Sequence, residues 1–229
     1  MGPGSANTSR LYSLAKRALI NEPLLNLNEV FNLEDDFPLM LISKTKIENQ
    51  NIASCIQTHS SNVQYIDKPG VYKDTDGIVT HLNNKIPLVI QTADCVPIFI
   101  LDNNKGFIGL VHSGWKGTSK SIILSALSIF FDRGSDANDI KVYLGPCIKS
   151  CCYEIKNDVA KFFDEKFLNK NKNQIFLDLE SKIKSDLLSI GVKNSNIFKS
   201  KICTYENKNF CSYRRDNKKA GRMYSIINL

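Results

Sequence analysis

Five short blocks in this 229-residue chain place reactive side chains beside turn residues. "IQTHSSNV" carries His59, "QTADCVP" carries Asp94 and Cys95, and "VHSGWKG" carries His112. "LGPCIKSCCYEI" holds Cys147, Cys151 and Cys152, and "NFCSYRRD…AGRM" holds Cys211, Arg214, Arg215, Asp216 and Arg222. His59, Cys95 and His112 form a nitrogen–sulfur–nitrogen donor set. Imidazole and thiolate suit Zn²⁺, and catalytic zinc sites keep three protein ligands and one open position. The three are far apart in sequence and have no CxxC or HExxH spacing, so residue types leave three readings open. One is a zinc centre. Another is scattered core histidines beside a buried thiol. The third is a Cys–His hydrolase pair, with Cys95 as thiolate and His112 as base.

The other polar candidates have blander expectations. His81 follows "DGIVT" beside "LNNK" and reads as an exposed turn histidine. Cys55, Cys147 and Cys203 flank apolar positions and read as core thiols. The Cys151–Cys152 pair reads as packing, with a site wall as the alternative, and Trp115 reads as packing. Asp76 in "DTDGIV" reads as a turn residue. Arg is scarce, and three arginines gather in "SYRRDNKKAGR" while Lys covers the surface elsewhere. That points to an arginine facing the same cleft as the donor set, or to ion pairs with Asp216 or Glu154.

Composition bounds the class. The chain is 42% hydrophobic and 23% charged, long enough for a real core. Its net charge of +7 is scattered Lys without a basic–aromatic block, which favours a solvated surface over nucleic-acid binding. "MGPGSA" (residues 1–6) reads as an expression scar, leaving 7–229 as one domain. There is no signal-peptide pattern and no run of the ~18 apolar residues a membrane helix needs. Seven cysteines, an odd count, argue against a disulfide scaffold. The expectation is a soluble cytoplasmic protein, monomer or homodimer, with neither nucleic-acid nor membrane partners.

The elements that must position these residues follow from periodicity. "FPLMLISKT", "IPLVIQT", "IKVYLGP", "ICTYE" and "RMYSIIN" read as strands. "VPIFILDNNKGFIGLVHSG" reads as a hairpin turning at "DNNKG". "KGTSKSIILSALSIFFDRG" reads as a helix stopped by Gly134, and "NDVAKFFDEKF" and "DLESKIKSDLLSIGV" as amphipathic helices, the last capped by Asp178 and Gly191. Residues 11–35 are weakly helical. Strands and helices mix without strict alternation, which predicts an α+β fold of mixed sheets with flanking helices.

The ordered blocks "QTH", "DGIVT", "TADCVP", "HSGWKG", "GPCIKSCCYEI" and "SYRRDNKKAGRM" resemble the YfiH/laccase-domain family, over roughly residues 57–228. The resemblance implies an α+β fold related to that of cysteine-hydrolase toxins. It implies zinc held by His59, Cys95 and His112, with copper, the ion of the family's older polyphenol-oxidase label, second because three His are too few for a multicopper cluster. It also implies a purine nucleoside phosphorylase. Such an enzyme converts adenosine, inosine, guanosine or methylthioadenosine and phosphate to base and (methylthio)ribose-1-phosphate, with adenosine deamination at the same site. Lys116, Arg214, Arg215 and Arg222 become candidates for phosphate, Trp115 for the substrate wall, and Asp94 for a general base or a support beside Cys95. A cell-wall editing role is the non-catalytic alternative. Three departures stand out: Ser113 and Lys116 replace the family's Ala and Arg, Lys149 replaces a Gly, and the family's N-terminal Gly-Gly loop is missing, with no glycine between Gly4 and Gly70.

Overall fold

A computed structural model describes residues 25–30, 39–46 and 51–228, and its strands build two six-stranded sheets and a three-stranded one. Strands are numbered in chain order. The first sheet holds β1 (Leu25–Asn26), β2 (Leu39–Ser43), β3 (Ala53–Ile56), β5 (Gly70–Lys73), β7 (Leu88–Thr92) and β15 (Met223–Asn228), side by side as β1-β2-β15-β7-β3-β5. The second holds β4 (Val63–Tyr65), β6 (Gly77–His81), β8 (Val96–Asp102), β9 (Phe107–Ser113), β10 (Lys141–Leu144) and β14 (Ile197–Lys199), in the order β14-β10-β8-β9-β6-β4. The small sheet is β11 (Glu154–Ile155), β13 (Gln174–Leu177) and β12 (Leu168–Asn171). The helices are α1 (Leu27–Val30), α2 (Trp115–Ser119), α3 (Ile122–Phe131), α4 (Asn157–Ala160), α5 (Leu179–Ser189) and α6 (Tyr213–Asp216).

The second sheet is the middle layer, and its sequence says so. β8 and β9 are buried at every position, the pattern of strands covered on both faces. Along β8, Ile98 and Ile100 face a core built with α3 and α5. Phe99 and Leu101 face the opposite core, shared with Met40, Leu88, Ile90 and Ile227 of the first sheet. The hairpin register runs from Val96↔Ser113 to Asp102↔Phe107, and the Asp102 carboxylate accepts from Lys105 N at 3.0 Å within the turn. The fold is α+β, as the pattern of elements predicts.

Several local expectations change. The helix expected across residues 116–134 is two helices, broken at Ser121, which takes a left-handed φ of 53°. Lys182 Nζ donates to Ser121 Oγ at 2.9 Å, so the break also ties α3 to α5. "NDVAKFFDEKF" makes only the single turn of α4 and a 3₁₀ turn at Glu165–Phe167. Between them Asp164 is extended, which drops Phe163 and Phe167 into the core. Their burial outweighs continuing the helix. "ICTYE" is not a strand. Cys203 alone bridges to Cys147, and the chain then turns back as Asn207 N donates to Cys203 O at 3.0 Å. α5 is as expected: Asp178 caps it by accepting from Ser181 N at 2.9 Å, and Gly191 follows at φ +93°. Most of residues 11–35, all of 1–6 and part of the glycine-free stretch between Gly4 and Gly70 lie outside the described residues. Among the described residues no helix is long and apolar enough to cross a membrane, and all seven cysteines are free thiols.

Candidate metal centre and its cleft

β5, β3 and β7 lie side by side and parallel, and each hands the chain to the second sheet at its C-terminal end. Each of the three crossings carries one polar residue of the site. His59 lies between β3 and β4, Asp76 between β5 and β6, and Cys95 between β7 and β8. His112 comes from the other direction, next to last in β9. Parallel pairing therefore gathers residues that sequence spacing keeps apart. The donor atoms of His59, Cys95 and His112 all lie within 4.8 Å of one another, and the two imidazole centroids are 4.7 Å apart, edge to face.

Asp76 organises the site. It is fully buried, and its Oδ1 accepts from His112 Nδ1 at 2.8 Å and from His59 N at 3.0 Å. Its Oδ2 accepts from Ser60 N and Ser60 Oγ, both at 2.7 Å, and from Thr58 N at 3.1 Å. His112 N also donates to Asp76 O at 2.7 Å. With Nδ1–H committed to Asp76, His112 has Nε2 left as its ligand atom, the arrangement that fixes tautomer and ring direction in metal sites. His59 sits at φ 59° and Asp94 at φ 81°, both left-handed conformations that cost a non-glycine residue roughly 1–2 kcal/mol. The hydrogen bonds of Asp76 offset that cost for the His59 loop. Gln57, two residues earlier, launches the loop by pairing its side-chain amide with Gln91 N and O, each at 2.7 Å.

The charges follow this geometry. Burial pushes the Asp76 carboxyl up, but hydrogen bonds from His112 and Ser60 outweigh it and hold the group well below the usual carboxylate range. Burial also raises the Cys95 thiol, yet His112 and His59 bring it down to about 6. Burial lowers His112, and the facing Cys95 and Asp76 push it up to about 9. Without a cation the site is thus a thiolate–imidazolium pair braced by a carboxylate. The donors fit a zinc-class ion: two imidazoles and a thiolate already inclined to ionise, with room for a fourth ligand from the cleft.

Two glycines in "HSGWKG" make the approach possible. A Cβ on Gly114 would lie 3.0 Å from both Cys95 Sγ and His59 Cδ2. A Cβ on Gly117 would lie 2.9 Å from the backbone oxygen of Ser60. Gly114 makes room for the donors, and Gly117 lets α2 press against the His59 loop.

The donors open into a cleft of about 780 Å³, also lined by Trp115, Tyr153, Tyr213, Arg214 and Arg222. Arg214 and Arg222 face the cleft; Arg215 does not. The Arg215 guanidinium donates to Thr204 O, Tyr205 O and Phe210 O and pairs with Asp216, so it braces a loop. Lys116 also lies outside the cleft lining, with Nζ 5.7 Å from the Trp115 ring centroid. Asp94 lines the cleft, but both its carboxylate oxygens are engaged, by Thr204 Oγ1 at 2.7 Å and Arg214 N at 2.6 Å. His81 is half-buried and accepts from Asn83 N through Nδ1, away from the site. Lys149 donates to Glu180 Oε1 at 2.8 Å and Ser200 O at 2.7 Å, a tie that a glycine there would not make. Sequence reasoning missed Tyr153 and Tyr213 as cleft walls and took Asp76 for a turn residue. The signals were present, since Tyr153 and Tyr213 lie inside blocks already singled out and Asp76 opens "DGIVT".

Known proteins place the chain further. Over 165 residues it is 36% identical to "Purine nucleoside phosphorylase" of Borreliella burgdorferi, covering 69% of this chain and 72% of that one. It is 34% identical over 214 residues to "Purine nucleoside phosphorylase CA_C1699" of Clostridium acetobutylicum, covering 90% and 82%. It is 28% identical over 211 residues to "Adenosine deaminase RL5" of an unknown prokaryotic organism, covering 84% and 80%. Among solved structures, the Bacillus licheniformis hypothetical protein YfiH matches with a TM-score of 0.74 at 30% identity, covering 79% and 74%. The family model described as multi-copper polyphenol oxidoreductase laccase matches residues 39–229, and the chain belongs to that family, the laccase-like YfiH group.

Proposed function

We propose that this chain is a zinc-dependent purine nucleoside enzyme. It would cleave adenosine, inosine, guanosine or methylthioadenosine with phosphate to the base and (methylthio)ribose-1-phosphate, and deaminate adenosine in the same cleft. The observation that carries the reading is one cleft with three converging metal donors at its base, aromatic walls and two arginines. Its relatives' names point the same way.

His59, Cys95 and His112 would hold the zinc, which when bound supplies a Lewis acid able to activate water or polarise a substrate oxygen. Asp76 keeps His112 in the ligating tautomer. Trp115, Tyr153 and Tyr213 offer faces for a purine ring. Arg214 and Arg222 hold phosphate against C1′ of the ribose; a phosphate oxygen bonds to C1′ as the bond to the base breaks. In deamination, water oxygen replaces the C6 amino group and ammonia leaves. Asp94 positions Arg214 through its backbone N rather than acting as the base, because both its oxygens are occupied.

Zinc-loaded protein should release base from nucleosides only with phosphate present, and ammonia from adenosine without it. Arg214→Ala or Arg222→Ala should raise KM for phosphate. Arg215→Ala should lower stability instead. If no nucleoside turns over, or if phosphate kinetics are unchanged in both cleft variants, the assignment fails.

The Asp76–His112–Cys95 array also has the layout of a thiol hydrolase, with Cys95 ionised beside an imidazolium. Iodoacetamide separates the two. A zinc-bound Cys95 resists alkylation until chelator is added, whereas a free nucleophile reacts at once.

A further inference from the structure

A second group of soft donors stands apart from the three that face the cleft. The ligand atoms of Cys151, Cys152, Cys203 and Glu206 all lie within 4.8 Å of one another. The Cys151 and Cys152 sulfurs are 3.1 Å apart, and all three cysteines are free thiols. Two segments bring them together. Lys149–Tyr153 forms a turn in which Cys152 N and Tyr153 N both donate to Lys149 O at 2.9 Å, presenting the adjacent thiols on one side. The other segment runs alongside: Cys203 bridges to Cys147, Thr204 N donates to Cys147 O at 3.1 Å, and Asn207 N turns the chain back onto Cys203 O. That turn brings Glu206 round to the three sulfurs.

We propose that Cys151, Cys152, Cys203 and Glu206 form a second, structural metal site for a zinc-class cation. The donor count is what distinguishes it from the cleft site. Three thiolates and one carboxylate close a tetrahedron with no position left for substrate, the hallmark of structural zinc. Tetrahedral zinc–thiolate bonds of about 2.3 Å put sulfurs roughly 3.8 Å apart, so only small side-chain movements are needed. The site would be filled by metal rather than by substrate, and its effect on the cleft would be indirect. Cys152 immediately precedes Tyr153, a cleft wall. Thr204, next to Cys203, donates to Asp94, and Asp94 O accepts from Ile148 N at 3.0 Å. Metal here would clamp together the two loops that hold Tyr153 and Asp94 in place.

The test counts zinc in the full chain, reduced and zinc-supplemented, after exchange into metal-free buffer. Cys151 and Glu206 are exposed, so Cys151→Ser and Glu206→Gln keep the test independent of folding; Cys203 is buried and is left alone. The expected result is two zinc ions per wild-type chain, one in Cys95→Ser, one in Cys151→Ser and none in the double variant, with weaker retention in Glu206→Gln. Cobalt should give a stronger thiolate-to-metal band in Cys95→Ser, where only the three-thiolate site remains, than in Cys151→Ser. One zinc in wild type that survives in Cys151→Ser and vanishes in Cys95→Ser overturns the proposal. One zinc that survives in Cys95→Ser and vanishes in Cys151→Ser supports this site and removes the metal from the cleft instead. Because none of these readouts uses nucleoside turnover, failure here is distinct from failure of the proposed activity.

Discussion

His112 and Asp76 carry most of the electrostatic argument at the scale of single residues. For zinc to bind, the proton that the facing Cys95 and Asp76 hold on His112 up to about pH 9 must leave, while Cys95 is already ionised above about pH 6. Binding between those values therefore releases one proton. Zinc affinity should rise about tenfold per pH unit from 6 to 9, and more steeply below 6, where the thiol also competes. Asp76→Asn removes the charge that orients and partners His112. It should lower zinc affinity about 10- to 100-fold. It should also bring the His112 proton off at lower pH, so the tenfold-per-unit rise ends earlier. Competition against a chromophoric chelator across pH reads both effects. A pH-independent affinity would show that the pair does not hold the proton. The residue types of the site were legible in the sequence, but the role of Asp76 was not. A buried carboxylate accepting six hydrogen bonds looks, in "DTDGIV", like any turn aspartate.

The elements explain which parts of the fold could be read in advance. β7, β8, β9, β10 and β15 each carry a run of buried apolar residues, because they lie inside layered sheets, and their sequences announce them. β3 to β6 are three to five residues each, several are half-exposed, and nothing in their composition predicts that β5, β3 and β7 pair in parallel. Yet that pairing assembles the site. The α2–α3 break shows the same limit: apolar spacing gave one helix, while the left-handed Ser121 splits it so that α2 can lie against the His59 loop. Gly117 tests that contact. In Gly117→Ala the new methyl would press on backbone at 2.9 Å, which cannot rotate away, so α2 and the His59 loop must separate. Zinc content should fall while the far core, away from this end, keeps its protection in hydrogen exchange. Full zinc retention would mean that the loop yields without cost.

Across the whole molecule, the candidate metal centre sits at the seam where three chain crossings join the two large sheets. Each donor comes from a different segment, and both sheets contribute: β3 and β7 lead into His59 and Cys95, and β9 carries His112 next to its last residue. An ion bound there would hold the folded state together and leave the unfolded chain alone. At a free zinc concentration a hundred times Kd it adds about 2.7 kcal/mol of stability, which in a chain of this size raises Tm by roughly 5–10 °C. Chelation should lower Tm of the wild type by that amount beyond any drop seen in Cys95→Ser, whose hydroxyl is a far poorer zinc ligand than a thiolate. The same variant should lose phosphorolysis and deamination together, because the proposed function routes both through one ion and one cleft held in shape by it. A covalent cysteine mechanism predicts otherwise: Cys95→Ser would abolish turnover while Tm kept its full response to chelator. Thermal scans with and without chelator, run beside both assays on the one variant, separate these outcomes. If Cys95→Ser keeps the wild-type chelator response, the seam is not where the metal acts.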